Sequence, residues 1–163
     1  MEDFVKIFMS PQGDVYHITL SESNDILSKS VLDALDDVHI AGVDLRRLEG
    51  THVTDQKVLT ALANTIAEFF LRDEHLTICY YCDFLNLIPN TKKNSMPPQE
   101  YRSRLFERMF QRYVKQHQLD GVRLSVVEIN GINEKYYVHV IYRNGHSMLA
   151  SMIGSDIKEV LEK

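Results

Sequence analysis

Between Thr54 and Asp83 the apolar residues change period, and no other feature restricts the fold so tightly. Val58, Leu62, Ile66 and Phe69 recur at helical spacing, and Leu59, Ala63 and Phe70 widen the stripe. Thr54 is placed to cap the first turn, Asp55 sets a negative charge at the positive end of the helix dipole, and Val53 with Val58 forms a hydrophobic staple. Arg72, Asp73 and Glu74 close the stripe, so the spacing predicts a helix over Asp55–Arg72. Directly after it, ICYYCD (Ile78–Asp83) is β-branched and aromatic, as in a buried strand. An amphipathic helix running straight into a core strand requires a sheet with helices packed on it.

The rest of the chain fits the same class. FVKIFM (Phe4–Met9) and VYHITL (Val15–Leu20), joined by a linker holding Pro11 and Gly13, predict a hairpin. Ile26 to Val38 is spaced as a helix with Asn24 as its cap, and Val43–Leu48 as a short strand. Pro97 and Pro98 suit the first turn of a second long helix, expected over residues 97–118. Val122–Ile129 and Tyr136–Tyr142 read as strands. Asn144-Gly145 is a hairpin signal, so Ser147–Ile153 is expected to return as a strand, with a short terminal helix over Asp156–Glu162. The expected architecture is α+β: a largely antiparallel sheet of about six to seven strands against two long helices, 55–72 and 97–118. At 163 residues it is expected to be a single globular domain, 1–163.

Cys79 and Cys82 stand at the spacing of redox and metal-binding thiols. On a strand, however, a rise of about 3.3 Å per residue separates their Cα atoms by roughly 10 Å, beyond the ~7 Å limit of a disulfide. An offset of three also turns the thiols to opposite faces. The seven histidines (17, 39, 52, 75, 117, 139 and 146) form neither an HxH pair nor an HExxH helix. Two core thiols are the expected reading, with no metal and no cofactor.

Asp83, at the end of that strand, carries more information. On a helical wheel Arg102 falls at about 60°, inside the apolar face made by Leu105, Met109, Tyr113, Phe106 and Phe110. A guanidinium there needs a partner, because breaking a buried ion pair costs about 3–5 kcal/mol. Asp83 and Arg102 are therefore the candidate ion pair, either a structural anchor or a site for a small anionic ligand or nucleotide. Between them Phe84, Leu85, Leu87 and Ile88 form an apolar cluster in a long connection, the candidate partner surface.

The chain carries a net charge of −5, yet Lys92–Lys115 gathers seven basic residues against Glu100 and Glu107. Arg104, Arg108, Arg112 and Lys115 share one flank of the helix. They are candidate phosphate contacts, with a solvated flank as the favoured reading and nucleic acid not the expected partner. No apolar run approaches the ~20 residues of a membrane span. Two cysteines without an export signal point to the cytoplasm.

The order of an early GDVY hairpin, a helix ending near IAEFF, a strand ending in CD and an R-x-R-x-x-F helix resembles a family of small uncharacterised proteins, a domain of unknown function, from Bacteroides and related bacteria. The resemblance spans most of the chain and implies roles for an Asp ending the strand and an Arg then a Phe in the next helix. Those are Asp83, Arg102 or Arg104, and Phe106. This chain departs by its longer Phe84–Met96 connection and by Met109-Phe110 where an aromatic pair is usual. The resemblance implies a fold and no activity. With no catalytic motif, the expected function is a non-enzymatic interaction module or homo-oligomer using residues 84–88. The alternatives are an enzyme or anion-binding cleft at Asp83 and Arg102, and nucleic-acid contact through the basic flank.

Overall fold

The computed structural model describes residues 3–22, 27–50, 56–81, 98–132 and 135–162. Ten elements and one 3-10 turn follow in chain order. They are β1 (Phe4–Met9), β2 (Val15–Glu22), α1 (Lys29–Ala34), β3 (His39–Glu49), α2 (Gln56–Arg72), β4 (Leu76–Tyr81), α3 (Pro98–Gln116), β5 (Val122–Asn130), β6 (Lys135–Arg143), a 3-10 turn (Asn144–His146) and α4 (Ser147–Leu161).

The strands form one sheet in the order β1-β2-β3-β4-β6-β5. It is mostly antiparallel, as the sequence suggests, with one parallel pair, β3 with β4, from His39↔Leu76 to Val43↔Tyr80. That parallel step follows from α2, whose length carries the chain back across the sheet between the two strands. The β1–β2 hairpin is in register from Phe4↔Leu20 to Met9↔Val15. In its turn Ser10 N–H donates to the Asp14 carbonyl (2.8 Å), and Asp14 N–H donates to Ser10 Oγ (3.1 Å). Gly50 lies against this turn at φ +103°, where an added Cβ would collide with the Asp14 side chain. Only glycine satisfies both the backbone angle and the space.

Strand alternation sorts the core into two layers. On one face Tyr16, Ile18, Leu20, Ala41, Val43, Leu76, Ile78, Tyr80 and Ile141 pack against Val58, Leu62, Ile66 and Phe70 of α2 and Phe106 of α3. On the other, Ile40, Cys79, Ile129, Val138 and Val140 pack against Val31 of α1 and Leu149, Ala150, Ile153 and Ile157 of α4. The helices thus lie on both faces of the sheet, α2 and α3 on one and α1 and α4 on the other. Arg143 joins the α2 side to the sheet. Its Nη2 donates to the Phe70 carbonyl (2.7 Å), its Nη1 to the Leu76 carbonyl (3.3 Å), and its guanidinium sits 4.1 Å from the Phe70 ring centre. A cation at the carbonyl end of α2 also meets the negative pole of the helix.

Three expectations are corrected. Ser147–Ile153 is the first half of α4, not a strand, and Asn144-Gly145 forms a 3-10 turn rather than a hairpin. The buried set Leu149, Ala150, Ile153, Gly154 and Ile157 has helical spacing, and β6 already has β4 and β5 on its two sides. The first helix is short, because Ser28 Oγ caps it by accepting from Val31 N–H (3.3 Å) and Asp36 leaves it at φ +50°. The chain then enters β3 at His39, four residues earlier than expected. Among the described residues no helix is long and apolar enough to cross a membrane.

Candidate functional site

β4 delivers the chain to the region where the sequence places a site. Cys82, Asp83, Phe84, Leu85, Leu87 and Ile88 lie outside the described residues. Arg102 belongs to α3 by its backbone, and its side chain lies outside the described set. What the described residues bring together beside the end of β4 is a group that sequence reasoning missed. Ser103 from the second turn of α3, His139 from the middle of β6 and Tyr80 from β4 meet under Phe106.

Ser103 Oγ lies 3.1 Å from His139 Nε2, and both residues are buried. Tyr80 stacks on the His139 imidazole at 4.8 Å with an interplanar angle of 8°. Phe106 closes the group at 4.4 Å from Tyr80 and 5.4 Å from His139. Period fixes each position. Tyr80 and Ile78 share a face of β4, His139 and Ile141 share a face of β6, and Tyr80 pairs directly with His139 across the ladder. Ser103 and Phe106, three apart on α3, meet them from above.

Electrostatics defines what the pair can do. Burial pushes the His139 pKa down to about 4, and a hydrogen bond to Ser103 acts in the opposite sense. The imidazole is therefore neutral at pH 7 and available as a base. Its serine partner, however, is 3 % exposed. A nucleophile must meet an acyl or phosphoryl group, and a hydroxyl as buried as that of Ser103 is closed off from one. The geometry is that of a polar clasp holding α3 on β6, where a buried hydroxyl satisfies a buried imidazole.

Cys79 is buried on the opposite face of the sheet, and burial pushes its thiol up to about 12. It remains a protonated thiol with none of the thiolate character that redox and metal chemistry need. Among the described residues no group of three or more His, Cys, Asp or Glu is placed to hold a metal ion. A surface groove of about 460 Å³ between α1 and α4 carries His75, His146, Asp36 and Asp37 on its walls. Both aspartates are exposed to solvent, and His75 turns towards Glu74 at 3.4 Å.

The basic flank is placed as its wheel positions indicate. Arg104, Arg108, Arg112 and Lys115 are all exposed on α3, and Arg104 pairs with Glu100 at 2.9 Å. An exposed pair of this kind contributes little to stability.

The two ends of the sheet complete the inventory. At one end α4 packs over β5 and β6. Lys158 Nζ donates to the Glu128 carbonyl (2.8 Å), and Glu162 Oε1 accepts from Asn130 N–H (2.9 Å). At the other end β1 has β2 on one side and, among the described residues, no strand on the other. Phe4 and Phe8 turn inward, onto Phe69 (4.9 Å) and Tyr16 (5.5 Å). Val5, Ile7 and Met9 turn to the opposite face and are 51 %, 62 % and 69 % exposed. The hairpin partner of that face offers Val15, His17 and Thr19. No protein-family model matches the chain, and a search of curated proteins finds no relative.

Proposed function

We propose that the protein is a non-enzymatic interaction module that takes up an extended strand on the open edge of β1. One observation carries this reading: β1 is apolar on both faces, yet the described residues cover only one of them. A strand with a single buried face ordinarily alternates apolar with polar side chains. FVKIFM breaks that rule at Val5, Ile7 and Met9. An edge strand also presents a row of backbone donors and acceptors, and proteins normally blunt such an edge with charge, proline or a covering element. β1 carries Lys6 alone, and Lys6 lies on the opposite face from the exposed apolar row. Strand addition uses both features, since main-chain hydrogen bonds give affinity and alternate side chains give selectivity.

This reading keeps interaction as the class of function and moves its surface from residues 84–88 to Val5, Ile7 and Met9. The Ser103–His139 clasp then serves the scaffold. The test is fluorescence anisotropy with labelled octapeptides that alternate apolar and polar residues, titrated with the intact chain. Saturable binding that Ile7→Lys abolishes supports strand addition. A flat response to every peptide, from a chain that is also monomeric, overturns it.

A further inference from the structure

We propose that the strand taken up is β1 of a second copy, paired antiparallel about a two-fold axis that passes through Ile7. The proposal rests on the strand-addition reading and names its partner. Three observations select the arrangement.

The first is the state of the opposite edge. A copy that docked its β1 onto β5 of the next would generate an open, head-to-tail chain of molecules. Lys158 of α4 and Glu162, which caps its end, already engage Glu128 and Asn130 of β5, and Arg123 and Glu128 add charge along that strand. Among the described residues the free edge is β1, and two identical edges pair as a closed dimer.

The second is the pleat. Residues directly opposed in a ladder project to the same face, so the axis between two copies of one strand must pass through a residue rather than between two. Pairing about Ile7 sets Val5 opposite Met9 of the second copy and Ile7 opposite itself, so the exposed face becomes continuously apolar. On the helix-covered face Lys6 opposes Phe8, where the lysine stem can lie along the ring.

The third is charge. Pairing about Lys6 would set two lysines directly opposite one another, a destabilising like-charge pair. Pairing about Phe8 would run Val5 against Pro11, which has no N–H to give to a ladder. Pairing about Val5 would put the Asp3 carboxylate against Ile7 and set Phe8 and Met9 against Glu2 and Met1, outside the strand. Ile7 is the axis that pairs Val5 to Met9 within the strand, apolar with apolar on the open face, with Phe4 opposite Ser10 and no charge against its like. The product is one twelve-stranded sheet from two six-stranded ones.

The experiment combines light scattering with a cysteine register scan on the full chain carrying Cys82→Ser. Cys79 stays, since it is buried and its thiol is held protonated. The expected result is a dimer whose population grows from micromolar to millimolar chain and is lost in Ile7→Lys. Under mild oxidation Ile7→Cys should cross-link to itself, because opposed Cα atoms lie about 4.5–5.5 Å apart, within disulfide reach. Val5→Cys alone and Met9→Cys alone should not cross-link, since each is displaced from its own copy by about 13 Å along the strand. Mixing the last two variants should restore the bond. Should Ile7→Lys fail to fold, the cysteine pattern still decides. A monomer at all concentrations overturns self-pairing, and if octapeptides still bind, strand addition survives without it. Cross-linking of Val5→Cys with itself as readily as Ile7→Cys overturns the register.

Discussion

At the β5 end of the sheet, α4 lies over the strand and its last two turns reach backbone groups of Glu128 and Asn130. Gly154 of α4 comes so near that a Cβ there would stand 3.1 Å from Val127 Cγ2. At the β1 end a strand apolar on both faces has one of them open, with Ile7 62 % exposed. Among the described residues, one edge is thus protected by several means and the other is left available. Protection at β5 shows that nothing in this fold prevents covering an edge, which makes the open face of β1 a feature to be explained rather than a by-product of the architecture.

The sharpest way to break the contrast is to loosen α4. Ile153 is fully buried between α4 and the sheet, and Ile153→Ala should cost about 2–5 kcal/mol in chemical denaturation. Hydrogen exchange should then rise along β5 and stay as it was along β1.

Acid should act next most strongly. The folded His139 value, about 4, lies below its ordinary 6.5, so the unfolded chain binds this proton first. Stability from this group is complete above pH 6.5, falls as pH drops towards 4 and levels off below that. The loss amounts to roughly 3 kcal/mol. His139→Gln should flatten urea midpoints across that window, and a midpoint that keeps its slope there would contradict the assignment.

Ser103→Ala removes the clasp from α3 and leaves the buried imidazole with one partner fewer, for a loss of about 1–3 kcal/mol by the same denaturation. Smallest is Lys158→Met, which should shift stability by at most a few tenths of a kcal/mol because the side chain is half exposed. Its value lies in the edge: if charge at β5 suppresses strand addition, this variant alone should begin to associate beyond the dimer in light scattering.

Much of the scaffold was legible in the sequence because local patterning and burial agree. The stripe from Val58 to Phe70 matches one period to one covered face, and the apolar, β-branched run at Ile78–Tyr80 is buried on both faces, as a core strand is. Ser147–Ile153 misled because Asn144-Gly145 is a strong turn signal, while the helical spacing of Leu149, Ala150, Ile153 and Ile157 only emerges over a longer window. The clasp was hidden for a different reason. Ser103 and His139 are remote in sequence and meet only once α3 lies on β6, although each left a trace. Ser103 borders the apolar face of its wheel, and His139 alternates with Tyr137 and Ile141 on the covered face of its strand. In β1 the signal was present and open to a different interpretation, since FVKIFM announces two apolar faces without saying what covers the second.

The lone parallel pair within the sheet has a kinetic consequence. β1 with β2, and β5 with β6, are each closed by a short connection, so their contacts are local and quick to form. β4 is the wedge between the halves: it must find β3 across the whole of α2 and β6 across α3 and β5. Its docking is the event with the largest loop-closure cost, and it brings Tyr80 onto His139. The interior clasp therefore matures late in folding, whereas the β1 edge is complete as soon as the first hairpin is. A nascent chain would expose the apolar edge of β1 before its core has closed, and the interval between those two steps sets how long premature association has to compete with folding.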